Sequence, residues 1–180
     1  TMFDIITDSA CDLTPETAAT LNIEIIPFYV SLDGEHYRKE GKEIAVRDFY
    51  QFMVDNPAAY PKTSLPSLED FETAFRAHAE AGRPVLCICF TSKMSGCVGS
   101  ARNARELVDF PDAKIEVIDS TAATVTESIV VENAVAMRDA GCTLDEAVTW
   151  LEAEKITNQI FFTVGNLDYL IKGGRIGKVT

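Results

Sequence analysis

The run Val85 to Phe90 (Val-Leu-Cys-Ile-Cys-Phe) constrains this chain more than any other stretch. It is apolar without alternation, so neither face is left for water, and it is short for a buried helix. A strand covered on both sides in a parallel sheet satisfies both conditions. Helical spacing follows: Val98, Ala101, Ala104 and Val108 recur every three to four residues. This predicts a helix that starts near Gly96 and lays small side chains on the sheet. Between strand and helix stand Ser92, Ser95 and Gly96, at the C-terminal end of a strand, where open α/β sheets hold ligands. The helix start adds unpaired N–H groups and a positive dipole end, and the hydroxyls can donate to the same anion. A small negative group is the ligand chemistry this stretch suits.

The rest of the chain alternates in the same way. Phe3 to Thr7 reads as a first strand ended by Asp8-Ser9, and Thr14 with Pro15 opens a helix through Leu21. Ile23 to Leu32 is β-branched and apolar, but Pro27 cannot donate to a ladder, so an edge strand or two pieces are expected. A helix carrying Phe49, Phe52 and Met53 on one face stops at Asn56-Pro57. Pro61 and Pro66 bracket Thr63 and Ser64 and predict a stiff loop. Ser67 with Asp70, and Thr143 with Glu146, are capping boxes that open two further helices. Lys114 to Ile118 is a strand ended by Asp119-Ser120. Thr121 to Thr126 reads as a polar loop before a helix bearing Ile129, Val130, Ala134 and Met137. Ile160 to Val164 is expected to be a last strand, with a short helix from Asn166 to Lys172 and Gly173-Gly174 ahead of Arg175. The fold class is therefore α/β, a mainly parallel sheet with helices on both faces in three layers. Asp8, Ser9, Ser92 to Gly96, Asp119 and Ser120 then share one sheet edge.

Composition narrows the function. A net charge of −12 without clustered Lys and Arg argues against nucleic acid as a partner. No apolar run nears the roughly 20 residues of a membrane helix, so no membrane span is expected. Thr1 to Asp4 carry no basic region or cleavage pattern, from which a cytoplasmic location is expected. Five cysteines, at 11, 87, 89, 97 and 142, form no disulfide framework. Cys87 and Cys89 face one side of the strand and read as core packing, with no metal site expected.

The hydroxyls and carboxylates admit more than one chemistry. Ser95 could serve as a nucleophile in a serine-dependent acyl- or phosphoryl-processing enzyme. It lacks the G-x-S-x-G elbow, however, and His36 and His78 lie in a polar loop and on a helix flank. Gly96-x-x-Gly99 is too short for a dinucleotide or P-loop fingerprint. Asp8 and Asp119 suit metal ligation or, more ordinarily, caps and turns. Thr63, Ser64, Ser92 and Ser95 suit either turns or an anion.

Five motifs in order carry a resemblance. They are Ile6-Thr7-Asp8-Ser9, Pro61 to Ser67 (PKTSLPS), Thr91 to Gly96 (TSKMSG), Val117-Ile118-Asp119-Ser120, and Leu167 to Ile176 (LDYLIKGGRI). With them the chain resembles the DegV family of bacterial fatty-acid-binding proteins, some of which are acyl-carrying subunits of a two-component fatty acid kinase. The resemblance implies a long-chain fatty acid as ligand, no cofactor, no bond-breaking by the protein itself, and a fatty acid kinase subunit as partner. It implies a carboxylate held by Thr63, Ser64, Ser95 and Gly96. Asp8, Ser9, Ser92, Asp119, Ser120 and Arg175 form a wider candidate set. It also implies a DegV-like domain over 1–156 and the incomplete start of a second, lipid-tunnel α/β domain over 157–180. Three positions depart from the family pattern: Cys97 for Thr, Leu65 for Gln, and Thr124 to Ser128 (TVTES) for a glycine-containing turn.

Overall fold

The computed structural model describes residues 2–176. In chain order the elements are β1 (Asp4–Asp8), α1 (Pro15–Leu21), β2 (Ile23–Ile26), β3 (Tyr29–Ser31), β4 (Arg38–Lys39), α2 (Val46–Asp55) and β5 (Lys62–Ser64). There follow α3 (Leu68–Glu80), β6 (Val85–Cys89), α4 (Cys97–Leu107), β7 (Ile115–Asp119), α5 (Thr124–Asp139), α6 (Leu144–Glu154) and α7 (Asp168–Lys172). Internal contacts divide the chain into two units. Thr1–Ile26 with Leu65–Ile160 form one, and Pro27–Ser64 with the chain from Phe161 form the other. The chain thus leaves the first unit twice, over 27–64 and again from Phe161. Pro27 explains the first exit: it ends the β2 ladder, so Ile23 to Leu32 splits into β2 and β3, which join different sheets.

The first unit is built on a parallel sheet of order β2-β1-β6-β7. All five residues of β6 are buried, as the unbroken apolar run requires. Period-2 alternation sends Leu86 and Ile88, with Phe3, Ile5 and Ile118, to a core closed by Val130, Val131, Ala134 and Val135 of α5 and Leu144, Ala147 and Leu151 of α6. Val85, Cys87 and Cys89 face the other way, on the side of α3 and α4, whose Phe71, Phe75, Val98, Ala101 and Ala104 are buried. Helices therefore flank both faces. The capping boxes at Ser67–Asp70 and Thr143–Glu146 both form. Arg138 of α5, 5 % exposed, donates to the Leu21 and Asn22 carbonyls at the end of α1, where a cation suits the helix dipole.

In the second unit β3 pairs antiparallel with β4 and with β5, giving the order β4-β3-β5. Thr63 and Ser64, expected in a loop, are the last two residues of β5, opposite Val30 and Tyr29. Tyr169 of α7 stacks on Tyr60 at 5.0 Å between ring centroids, and Lys172 lies over the Tyr60 ring at 3.4 Å. Residues 160–164, expected as a strand, are not one. Among the described residues no neighbour supplies the ladder that a strand needs, and Phe161 and Phe162 are 89 % and 73 % exposed. No described helix is long and apolar enough to cross a membrane.

An ionic cluster closes the N-terminal edge of the parallel sheet. His78 of α3 reaches Asp4 Oδ2 with Nδ1 at 2.6 Å and Glu24 Oε2 with Nε2 at 3.0 Å, and Arg83 pairs bidentately with Asp4. Hydrogen bonding to Glu24, reinforced by Asp4 and only partly offset by burial, raises the His78 pKa. Burial pushes Asp4 up, but Arg83 and His78 outweigh it and hold its carboxyl low. Because the folded His78 binds its proton more tightly than the unfolded one, its stabilisation is full below about pH 6.5. It is lost as pH rises through the raised folded value. His78→Gln is expected to destabilise by about 1 kcal/mol at pH 6, a value discounted for the half-exposed Glu24, and by less at pH 8.5. Urea unfolding at the two pH values measures the difference.

Candidate functional site

The strand order places a topological switch between β1 and β6. From β1 the chain steps outward to β2, and it returns on the opposite side of β1 as β6. At such a point the loops after neighbouring strands diverge and leave a crevice. Asp8 ends β1 and spans it. Its Oδ2 accepts the Phe90 N–H at 2.7 Å and the Cys97 thiol at 3.3 Å, while Oδ1 accepts the Ala10 N–H at 3.0 Å. One carboxylate thus holds the end of β1, the end of β6 and the start of α4 in register. Burial lifts its pKa to about 6, against the pull of these donors.

The loop between β6 and α4 is fixed from its other side by β7. Asp119 accepts the Ser92 N–H at 3.3 Å and the Thr121 N–H at 2.9 Å. Burial pushes its carboxyl up, but the Ser92 and Thr121 hydrogen bonds and the Lys155 charge hold it below its ordinary range. Ser120, fully buried, donates to the Ala122 carbonyl and accepts the Ala122 N–H. Asp8, Asp119 and Ser120 therefore shape the loops through both Asp8 oxygens, Asp119 Oδ1 and Ser120 Oγ. Ser9 lies half-buried in a 3-10 turn beside them.

What remains open to solvent is the loop itself. Ser92 and Gly96 are exposed and Ser95 is half-buried. Ser95 Oγ accepts the Cys97 N–H at 3.2 Å in a local turn just ahead of α4, whose N-cap is Gly96, and this leaves the hydroxyl proton available to a ligand. The α4 helix runs for 11 residues, so its N-terminal amides carry a full dipole end. A Cβ on Gly96 would meet only Leu65 Cδ2, at 3.5 Å. Ser100 of the same helix donates to the Pro66 carbonyl at 3.1 Å. Leu65 and Pro66 are thus seated on α4.

The other expected contributors lie in the second unit. Thr63 and Ser64 are exposed on β5, and Arg175 is exposed beyond Gly174, donating to the Gly173 carbonyl. Serine-protease-like chemistry lacks its base: His36 is bound to Asp33, and His78 to Asp4 and Glu24. Neither described histidine hydrogen-bonds to Ser95.

Two features escape a reading by pattern. Thr121 to Thr126 was expected as loop, but α5 begins at Thr124 and carries Glu127 and Ser128 inward in its first turn, while Ile129 is 44 % exposed. The apolar spacing hides a glutamate in a buried stripe. Thr121 and Thr124 also stand at φ +53° and +52°, left-handed geometry that β-branched residues rarely adopt. Thr124→Gly is therefore expected to raise stability by about 0.5–1 kcal/mol, the relieved strain exceeding the added chain entropy. A lower urea midpoint for the variant would refute the strain.

A model described as an uncharacterised protein of the DegV family matches residues 2–180. A DegV domain-containing protein of Streptococcus pyogenes serotype M1 is 35% identical over 178 residues, covering 98% of this chain and 62% of the relative. Among solved structures, a fatty acid (stearic acid)-binding protein from Eubacterium ventriosum is 46% identical with a TM-score of 0.94, over 99% of this chain and 62% of that one. A fatty-acid-binding DegV family protein from Thermus thermophilus is 31% identical with a TM-score of 0.83, over 98% and 61% respectively. The chain spans about three fifths of the length of these relatives.

Proposed function

The chain belongs to the DegV family, and from that premise we propose that it binds a long-chain fatty acid by its carboxylate and presents it to a partner, a fatty acid kinase subunit, in the cytoplasm. The observation that carries the reading is the loop at the β1/β6 switch point. Its supports, Asp8 and Asp119, bond to the loop backbone, while the Ser95 hydroxyl proton and the α4 amides are left for an anion. The likeness to the stearic acid-binding Eubacterium ventriosum protein supports the same ligand class.

In this reading Ser95 and Gly96 receive the carboxylate. Thr63 and Ser64 join them through the family motif PKTSLPS, and Arg175 faces the head group or the partner. The protein breaks no bond. Each hydrogen bond to the charged head contributes about 1.5–3 kcal/mol, and each buried methylene about 0.8 kcal/mol. A chain of about ten buried methylenes therefore outweighs the head group, which orients the acid while the acyl wall supplies most of the affinity.

Thr63→Ala and Ser95→Ala are each expected to weaken fatty acid binding roughly tenfold or more. Thr63→Ala should leave the melting temperature unchanged, and Ser95→Ala should lower stability by about 0.5–1 kcal/mol through loss of the hydrogen bond to the Cys97 N–H. Calorimetry on a chain as long as the relatives, together with mass spectrometry of denatured lipid extracts, tests this. Unchanged affinity in the double variant would reject the head-group assignment. Arg175→Glu should abolish kinase-dependent acyl phosphorylation while the protein stays folded, and full phosphorylation in that variant would remove Arg175 from the partner face.

A further inference from the structure

Beneath the head-group loop lies a cluster that lipid binding does not use. Asp8, Cys89 and Cys97 offer a carboxylate oxygen and two thiol sulfurs that all lie within 4.8 Å of one another, and all three residues are buried. Cys97 Sγ stands 3.3 Å from Asp8 Oδ2, and Cys87 Sγ stands 3.6 Å from Cys89 Sγ. Tetrahedral zinc, with bonds of about 2.3 Å to sulfur and 2.0 Å to oxygen, needs ligand atoms roughly 3.5–3.8 Å apart. The Cys97–Asp8 pair already stands near that separation, and Cys89 lies within 4.8 Å of both.

A second observation is independent of the sulfurs. Glu127, carried inward by the first turn of α5, is 0 % exposed, and its carboxyl meets Asp8 and Thr7 with no backbone N–H or cationic donor among the described residues. Among the same residues no Lys, Arg or His forms an ion pair with Asp8 or Glu127. Two carboxyls in a dry pocket are costly unless a proton or a cation lies between them. Burial first, then the charges of Asp8 and Asp12, raise the Glu127 pKa to about 10. A proton shared with Asp8 can satisfy the pair, and the Cys97 thiol donates to Asp8, but a single cation would serve both carboxyls and both thiols at once.

We infer that Asp8, Cys89 and Cys97 form a structural site for a thiophilic divalent cation, zinc by the softness of its donors, and that Glu127, which adjoins Asp8 outside the 4.8 Å group, closes in as the fourth ligand when the cation enters. The cation replaces the thiol proton that now lies between Cys97 and Asp8. Binding releases to solvent the two thiol protons and the proton that Glu127 holds beside Asp8, leaves both sulfurs as thiolates bonded to the metal, and involves no change of oxidation state. Its place in the fold is the seam of β1, β6 and α4, so it fixes the Ser92 to Gly96 loop from below.

The test uses protein expressed with zinc in the medium, purified under reducing conditions and rinsed with chelator. Metal is counted by elemental mass spectrometry. The protein is then unfolded in chelator and refolded with Co2+. Near-stoichiometric zinc is expected, with a near-ultraviolet thiolate-to-cobalt charge-transfer band after exchange. Both should vanish in Cys97→Thr and Cys89→Val and persist in Cys142→Ser, whose half-buried thiol lies outside the cluster. Cys97→Thr keeps a hydroxyl donor for Asp8, so its fold, checked by circular dichroism, should survive. Glu127→Gln should weaken Co2+ binding by roughly tenfold or more, and unchanged affinity would strip Glu127 of its place. Metal-free wild-type protein without the band overturns the site, as does a band that persists in folded Cys97→Thr. Should Co2+ refolding fail, the metal content of the purified protein decides.

Discussion

A single carboxylate, Asp8, holds the functional end of the first unit together. Strand pairing alone aligns β1 with β6 only up to Thr7 and Ile88. Beyond that point the chains diverge, and the backbone donors that follow would be orphaned in a buried place. Asp8 collects the donors of Phe90, Ala10 and Cys97 instead. The β6–α4 loop is then tied at its start to β1 and along its length to Asp119 of β7. A ligand meeting the outer face of this loop meets groups whose geometry was set before it arrived, so little ordering cost is left to the ligand.

That arrangement places acidic and sulfur groups in a dry interior. Asp8, Glu127 and the thiols of Cys87, Cys89 and Cys97 are all buried. Burial raises the pKa of Asp8, Glu127 and Cys87, and hydrogen bonding between neighbouring thiols, with burial behind it, raises those of Cys89 and Cys97, which favours the neutral forms. Such a pocket is stable with protons in place or with a cation in their stead. Either way the charge balance under the loop is coupled to the loop that would hold a carboxylate. The strained Thr121 and Thr124 stand at the entry to α5, the helix that delivers Glu127.

The second unit follows a different logic. Its antiparallel strands are short, β5 carries three exposed residues, and α2 has no buried residue. Its described contacts include the Tyr60, Tyr169 and Lys172 group. The two lengths of chain that form it, Pro27–Ser64 and the part from Phe161, are far apart in sequence.

Much of the secondary structure was legible in the sequence because its signals are local. The β6 run, the caps at Thr14, Ser67 and Thr143, the stop at Asn56 and the break at Pro27 each act through neighbours within a few residues. The structure reproduces every one. The family likeness was also carried by short ordered motifs. What only tertiary structure decided depends on partners distant in sequence. Strand order makes Asp8 a bridge between β1 and β6. The pairing of β5 with β3 turns a proline-bracketed loop into an edge strand. The missing ladder leaves residues 160–164 irregular. The spacing of Thr124 to Ser128 said nothing of a buried glutamate, because helical periodicity records which positions face inward but not the polar residue that one of them holds.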